Sequence, residues 1–137
     1  MRGRWIRMAP LAALVLVGCA PRPQADEGSL RDSFAQRIAT SSFVTDFTSD
    51  GAELSFSGPD GTGGTAVWRV RIDSSLVEPN FNDELPYQGR ITSEWNANGE
   101  VVEYLGNMTA LPEEFLDRGL GQECWAYWVE AERRWDW

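Results

Sequence analysis

Hydrophobic positions in the first half of the chain recur every four residues. Leu30, Phe34 and Ile38 have this spacing, which predicts a helix from Leu30 to about Thr40 with one buried face. Ser29 directly precedes this stretch, and the sequence Ser-Leu-Arg-Asp resembles a capping box, which is typical of a helix start. The pattern therefore indicates an amphipathic helix followed by a change of structure.

The hydrophobic period then changes from four residues to two, as in half-buried strands. Four segments are predicted to be strands: 53–57, 68–72, 90–96 and 100–105. The glycine-rich sequence GPDGTGG at 58–64 is predicted to be the turn that connects the first two strands. Asn98-Gly99 lies between the last two strands and predicts a two-residue hairpin turn.

A two-residue turn at that position fixes which residues oppose one another. Three opposed pairs are predicted: Trp95 with Val102, Glu94 with Glu103, and Ser93 with Tyr104. Like charges directly opposed destabilise a hairpin, so Glu94 and Glu103 require compensation. Either Arg69 and Arg71 of a neighbouring strand or Arg90 on the same face is expected to supply it.

A short helix is predicted over 111–119. Pro112 lies near its start, Glu113 and Glu114 lie in its first turn, and Gly119 follows its end. These are the residue types that favour the two ends of a helix, so the segment is expected to be helical although it is short.

The last segment is predicted to be one long strand that begins near Trp125. Its odd positions form a mainly apolar face: Trp125, Tyr127, Val129, Ala131, Arg133, Trp135 and Trp137. A helix over 123–134 is the alternative, because Trp125, Trp128 and Val129 also follow helical spacing. Together the elements predict an α+β fold: an N-terminal helix packed on a mainly antiparallel sheet of about five strands, with a short second helix before the last strand.

The N-terminal segment has a different composition from the rest. Arginines cluster in the first eight residues, and an apolar run over 9–17 follows them, as in the leader of an exported precursor. This run is too short to span a bilayer, which needs about 20 apolar residues. An ordinary secretory signal or an uncleaved anchor would have some of these features as well.

The sequence Leu16-Val17-Gly18-Cys19 at the end of the apolar run resembles the lipobox of bacterial lipoprotein precursors. The resemblance covers the leader alone, and no family is recognised in the remainder. It implies that residues 1–18 are removed and that acyl chains on Cys19 hold the protein in a membrane. Ala20 stands where an aspartate would retain such a lipoprotein in the inner membrane, so the resemblance implies the periplasmic side of an outer membrane where the cell has one.

The lipobox divides the chain into three expected parts: a signal peptide over 1–18, a lipidated cysteine and flexible tether over 19–28, and a single domain over 29–137. The tether is rich in proline and charge, which disfavours packing. At about 3.1 Å per residue it is expected to hold the domain roughly 25 to 30 Å from the acyl chains.

The charge excludes several classes of partner. The chain has 12 arginines, no lysine and 21 acidic residues, and three of the arginines lie in the leader, so the charge after processing is 9 − 21 = −12. Such a chain repels nucleic acid, and no nucleic-acid partner is expected. The absence of histidine and lysine removes the commonest general base and metal ligand, so no cofactor and no metal site is predicted.

The few features that could carry chemistry have structural explanations. The residues 61–66 match the glycine pattern of dinucleotide sites, but a strand pattern follows where a helix is required, which favours a hairpin turn. Glu94 and Glu103 are the candidate catalytic pair, as an acid and a base of a small envelope hydrolase, on the condition that the predicted register holds. Cys124 has no partner if Cys19 is acylated, and it is predicted to be a buried, inert thiol.

Aromatic residues are the remaining signal. Trp68, Trp95 and Trp125 are predicted to be core residues, since large aromatic side chains build a small core efficiently. Trp135 and Trp137 lie near a carboxyl terminus, and with Tyr127 they form the predicted contact surface for an envelope protein or saccharide. The sequence thus predicts a lipid-anchored, non-catalytic envelope module, with a small hydrolase or a purely structural lipoprotein as the alternatives.

Overall fold

The computed structural model of the protein describes residues 23–105 and 108–137. In this part of the chain the two helices are α1, Glu27–Ala39, and α2, Glu113–Asp117. The strands are β1 Thr45–Ser49, β2 Glu53–Pro59, β3 Thr65–Pro79, β4 Tyr87–Ala97, β5 Glu100–Val102, β6 Tyr104–Leu105, β7 Met108–Thr109, β8 Glu123–Val129 and β9 Arg134–Asp136. The segment 1–22, which contains the predicted leader and Cys19, lies outside the described residues.

Seven of the strands form one curled, antiparallel sheet. Their order is β1-β2-β3-β4-β8-β9, and β5 pairs with β4 beside β8. The predicted α+β class with a mainly antiparallel sheet is confirmed, but the expected number of about five strands is too small. One reason is that β1 has no buried side chain and therefore shows no alternation in the sequence.

Helix α1 begins three residues earlier than predicted. Asp26 is the N-cap: its carboxylate accepts a hydrogen bond from the backbone N–H of Ser29 at 2.8 Å, and the Ser29 hydroxyl accepts one from the N–H of Asp26 at 3.3 Å. The capping box therefore ends at Ser29 instead of beginning there. Leu30, Phe34 and Ile38 are all buried, as their spacing predicted.

Both helices lie on the same side of the sheet, which we call the inner face; the opposite side is the outer face. Phe115 of α2 packs edge-on against Trp68 of β3, with ring centroids 5.2 Å apart, and against Phe56 of β2 at 5.9 Å. Leu30 of α1 packs over Gly89 of β4, where an added Cβ would be 2.8 Å from the leucine methyl groups. The hydrophobic core thus fills the space between the helices and the inner face.

A bulge in β3 exchanges the faces of that strand. The pairing with β4 shifts between Ile72 and Ser74, so one additional residue of β3 lies between them. Before the bulge the even-numbered residues Trp68, Val70 and Ile72 are buried on the inner face. After it Leu76, also even-numbered, lies on the outer face and is exposed.

The predicted hairpin at Asn98-Gly99 is present, but it is shorter than expected. Trp95 pairs with Val102, which confirms the register, and β5 ends at that residue. The Ser93–Tyr104 pair was wrong: the backbone N–H of Ser93 donates to Gln122 at 2.9 Å, and Tyr104 pairs with Thr109. The connection that follows β5 therefore leaves the hairpin before the predicted strand ends.

The predicted long C-terminal strand consists of two strands, β8 and β9, joined by a turn at 130–133. The helical alternative is excluded. Trp128 pairs with Trp135, and paired residues share one face of a sheet. The inner face therefore holds the even-numbered residues of β8 but the odd-numbered Trp135 of β9. The prediction of one strand with a single apolar face of odd positions was wrong.

Candidate functional site

Two large aromatic side chains are exposed next to each other on the outer face. Trp125 is 45% exposed and Tyr127 is 42% exposed, and both belong to β8. Residues two positions apart on a strand project from the same face, about 7 Å apart. In the strand register Trp125 lies beside Arg90 of β4, and Tyr127 lies beside Gln88.

The same row continues into β3. Arg90 pairs with Leu76, whose side chain is 39% exposed. We call these five residues the outer aromatic patch: Leu76, Gln88, Arg90, Trp125 and Tyr127. Three strands contribute to the patch, so its geometry depends on the sheet instead of on a loop.

Arg90 connects the patch to its charged surroundings. Its guanidinium carbon lies 5.4 Å from the centroid of the Trp125 ring, which is a cation–π contact. Arg90 Nη1 also lies 3.7 Å from a carboxylate oxygen of Glu123. Both contacts hold the side chain across the neighbouring ring, so Trp125 and Arg90 present one continuous surface.

The packing on the inner face explains why these rings point outward. Ala126 is fully buried on the inner face, where it pairs with Gly89. A Cβ at Gly89 would lie 2.8 Å from the methyl groups of Leu30 and 3.2 Å from the ring of Trp135, so little space remains on this face beside Ala126. The larger residues Trp125 and Tyr127 consequently occupy the outer face.

The three predicted contact residues differ in how far their side chains are exposed. Tyr127 is exposed, as expected. Trp135 is only 5% exposed; its indole N–H donates to Ser29 at 3.1 Å, and its ring packs edge-on against Trp128 with centroids 5.4 Å apart. The C-terminal Trp137 is partly buried against α1, where its indole N–H donates to Ser33 at 2.9 Å.

Trp135 and Trp137 therefore attach the end of the chain to α1 and do not offer a free contact surface. Trp125, which was predicted to be a core residue, is exposed, whereas the predicted core residues Trp68 and Trp95 are buried. The alternation of β8 is apolar on both faces, so the pattern of hydrophobic positions did not identify Trp125. The small residues at Gly89 and Ala126 were the available signal for which face is inner.

The candidate catalytic carboxylates are not opposed. Glu94 lies on β4, where it pairs with Arg71 of β3, and the two side chains form an ion pair at 3.4 Å. This confirms that Arg71 compensates the charge of Glu94. Glu103 is exposed and follows the last residue of β5, so the ladder that would have placed it opposite Glu94 does not extend that far. Over 23–105 and 108–137 there is no group of three or more His, Cys, Asp or Glu side chains that could hold a metal ion.

Cys124 is buried, as predicted. Its thiol lies 3.3 Å from the carbonyl oxygen of Gly121, to which it donates. Burial raises the pKa of the thiol to about 11, so it is protonated at neutral pH.

The glycine-rich segment is a hairpin turn. Asp60 closes it: one carboxylate oxygen accepts hydrogen bonds from the N–H and the hydroxyl of Thr62, both at 2.8 Å, and from the N–H of Gly64 at 3.1 Å. These donors hold the pKa of Asp60 below its usual value. Strand β3 follows directly at Thr65, so the loop does not lead into a helix as a dinucleotide site requires.

A polar groove of about 850 Å³ lies between the start of α1 and the bulge of β3. Charged residues of both signs line it, among them Glu27, Arg31 and Asp73. The guanidinium of Arg31 donates to the hydroxyl of Ser75 at 2.7 Å, so this side chain is held by a contact within the protein.

Comparisons with known proteins give no significant match to a family model, a curated protein or a solved structure. No helix in the described part of the chain is long and apolar enough to cross a membrane.

Proposed function

We propose that this protein is a lipid-anchored, non-catalytic module of the bacterial envelope, and that its outer aromatic patch docks onto another envelope protein. The observation that carries the proposal is the pair of exposed rings, Trp125 and Tyr127, beside Arg90 on the outer face of the sheet. The anchor rests on the resemblance of Leu16-Val17-Gly18-Cys19 to a lipobox.

The composition of the patch favours a protein as the partner. Tryptophan, tyrosine and arginine are the residues most enriched among those that dominate the binding energy of protein interfaces. The patch holds no carboxylate, and its one cation is paired: Arg90 lies 3.7 Å from Glu123 at the border of the patch. Asp136, which lies beside Tyr127 in the strand register, is paired with Arg134 at 3.6 Å. Exposed aromatic rings bordered by paired charges match the apolar residues and polar rim of a docking surface.

The arrangement of the carboxylates supports a non-catalytic role. Glu94 is held in an ion pair with Arg71 on the outer face, and Glu103 lies beyond the last residue of β5. A glycosidase needs two carboxyl groups on opposite sides of one substrate bond. Neither residue has such a partner in the strand register.

Site-specific photo-crosslinking in intact cells tests the docking proposal. A photoreactive phenylalanine analogue replaces Tyr127 in one variant and Leu116 in a control variant; Leu116 is similarly exposed, at 40%, but belongs to α2 on the other side of the sheet. We expect one discrete protein adduct from position 127 and none from position 116. Adding Trp125→Ala should reduce that adduct by about tenfold or more, because hot-spot residues contribute about 2 kcal/mol or more.

Other results would contradict the proposal in distinguishable ways. An adduct of twice the mass of the chain would mean that the patch binds a second copy, and an adduct that a glycan hydrolase removes would mean a saccharide. No adduct from either position would favour a purely structural lipoprotein. A Glu103→Gln variant that folds normally but fails to complement a strain without the protein would favour the hydrolase instead.

A further inference from the structure

One end of the domain collects three segments that are distant in sequence: Pro23 to Ala25, the loop 80–86, and the turn 130–133. We call it the entry end, since the chain enters the domain here. Arg133 Nη2 donates to the carbonyl oxygen of Pro23 at 2.9 Å. The backbone N–H of Glu130 donates to the carbonyl oxygen of Glu84 in the loop at 3.2 Å.

Phe81 projects from this end with no covering contact. Its side chain is fully exposed, at 104% of the reference area, and lies in the loop that joins β3 to β4. Single exposed hydrophobic residues are common and need no explanation by themselves. Phe81 differs from such residues in how its loop is held and in where the loop lies.

The loop is held by its own hydrogen bonds. The backbone N–H of Asn80 donates to Pro86 at 2.7 Å, and the Asn80 side chain donates to the carbonyl oxygen of Leu85 at 2.9 Å. The Asn82 side chain accepts from the N–H of Glu84 at 2.9 Å and from the N–H of Leu85 at 3.2 Å. These bonds fix both neighbours of Phe81, so the ring is presented with little further loss of entropy on binding.

The number of residues between Cys19 and the domain limits how far the entry end can lie from acyl chains on that cysteine. Only four residue steps separate Cys19 from Pro23, which span at most about 14 Å when fully extended. The expected tether of roughly 25 to 30 Å was too long, because Pro23 and Ala25 already contact the domain. If Cys19 carries acyl chains, the entry end lies close to the membrane surface.

We propose that Phe81 is a second membrane contact: its ring inserts into the interfacial region of the bilayer that holds the acyl chains and so fixes the orientation of the domain. This inference rests on the proposed lipid anchor. Tyr87, which is 38% exposed at the start of β4, lies at the same end and suits the boundary between lipid and water.

The charges of the loop indicate which lipids it accepts. Asp83 and Glu84 follow Phe81 and are exposed, and the loop 80–86 contains no cation. Anionic head groups repel these carboxylates, whereas zwitterionic head groups do not. The contact is therefore expected to form on phosphatidylcholine or phosphatidylethanolamine and to weaken as anionic lipid is added.

A fluorescent probe next to Phe81 tests the contact. The full-length lipoprotein is purified from membranes and reconstituted into phosphatidylcholine vesicles that contain a head-group quencher. A polarity-sensitive fluorophore is attached to Asp83→Cys, and the control carries it on Val67→Cys, which is 54% exposed and lies beside Asn98 at the opposite end. Cys124 is 4% exposed, and burial raises the pKa of its thiol, so we expect the label to react with the introduced cysteine and not with Cys124.

We expect blue-shifted emission and strong quenching of the probe at position 83, and neither effect at position 67. Adding Phe81→Ser to the first variant should bring its quenching down to the level of the control, since burial of a phenylalanine ring changes partitioning by roughly tenfold to a hundredfold. Quenching that is unchanged by Phe81→Ser, or stronger on anionic vesicles, would overturn the proposal.

The failure of the anchor is distinguishable from the failure of the contact. Mass spectrometry shows whether Cys19 is acylated, and flotation shows whether the protein is on the vesicles. An acylated, vesicle-bound protein with an unquenched probe at position 83 would overturn the Phe81 contact and leave the anchor intact. A protein without acyl chains would overturn both proposals together.

Discussion

Replacing Trp135 by alanine should destabilise the domain far more than replacing Trp125. Trp135 is 5% exposed, packs edge-on against Trp128 and donates to Ser29, so its removal leaves a cavity between β9 and α1. Truncation of a buried tryptophan costs about 3 to 5 kcal/mol. Trp125 is 45% exposed, and its contact with Arg90 is worth about 0.5 to 1 kcal/mol at an exposed site.

Urea unfolding followed by far-ultraviolet circular dichroism measures the difference, because the midpoint of the transition reports loss of the backbone structure and is read from each variant's own baselines. With a slope of about 1.5 kcal/mol/M, Trp135→Ala should lower the unfolding midpoint by about 2 to 3 M and Trp125→Ala by less than about 0.7 M. The same Trp125→Ala variant should lose the photo-crosslink at position 127. Equal midpoint shifts for the two variants would refute the assignment of Trp125 to the exposed outer face and Trp135 to the core.

Three further predictions concern packing and pH. Gly89→Ala should destabilise the domain by about 1 to 3 kcal/mol in the same urea assay, since the new Cβ would lie 2.8 Å from the methyl groups of Leu30; unchanged stability would mean that α1 is not packed so closely. Because the pKa of Cys124 is raised, the stabilisation from its buried neutral thiol is present below about pH 9 and is lost as the pH rises toward 11. The free energy of unfolding of the wild type should therefore fall by about 2 kcal/mol relative to that of Cys124→Ala by pH 10.5. Parallel pH profiles of the two proteins would contradict the burial of the thiol. The lowered pKa of Asp60 has the opposite effect: the stabilisation from its carboxylate is present above about pH 4 and is lost as the pH falls. The free energy of unfolding of Asp60→Asn should therefore decline less steeply in acid than that of the wild type. An equal decline in the two proteins would show that the hydrogen bonds from Thr62 are not maintained in solution.

Local patterns in the sequence determined several elements correctly. The four-residue spacing of Leu30, Phe34 and Ile38 predicted the buried face of α1, because a helix brings such positions onto one side. Asn98-Gly99 predicted a hairpin with Trp95 opposite Val102, because the turn type and its two residues set the register. These features depend on interactions between neighbours in the chain.

The length of paired strands could not be predicted in this way. The alternation predicts a second hairpin strand that continues to Leu105, but the backbone N–H of Ser93 donates instead to Gln122, the residue before β8. Competition between β5 and β8 for the same edge of β4 decides where the first pairing ends. Hydrophobic alternation in a strand shows which side chains share a face, but it does not show which neighbouring strand it pairs with.

The outer aromatic patch shows most clearly the division between what the sequence determines and what the tertiary structure decides. The sequence by itself established that aromatic residues are concentrated near the C-terminus, and of the three predicted contact residues Tyr127 is the one whose side chain is clearly exposed. Both faces of β8 are apolar, so only the tertiary structure decided that Ala126 points inward and Trp125 outward. The physical reason is space: Leu30 and Trp135 crowd Gly89 on the inner face, and the neighbouring Ala126 is fully buried, so a methyl group is accommodated at that position of β8 and the indole ring lies on the open outer face.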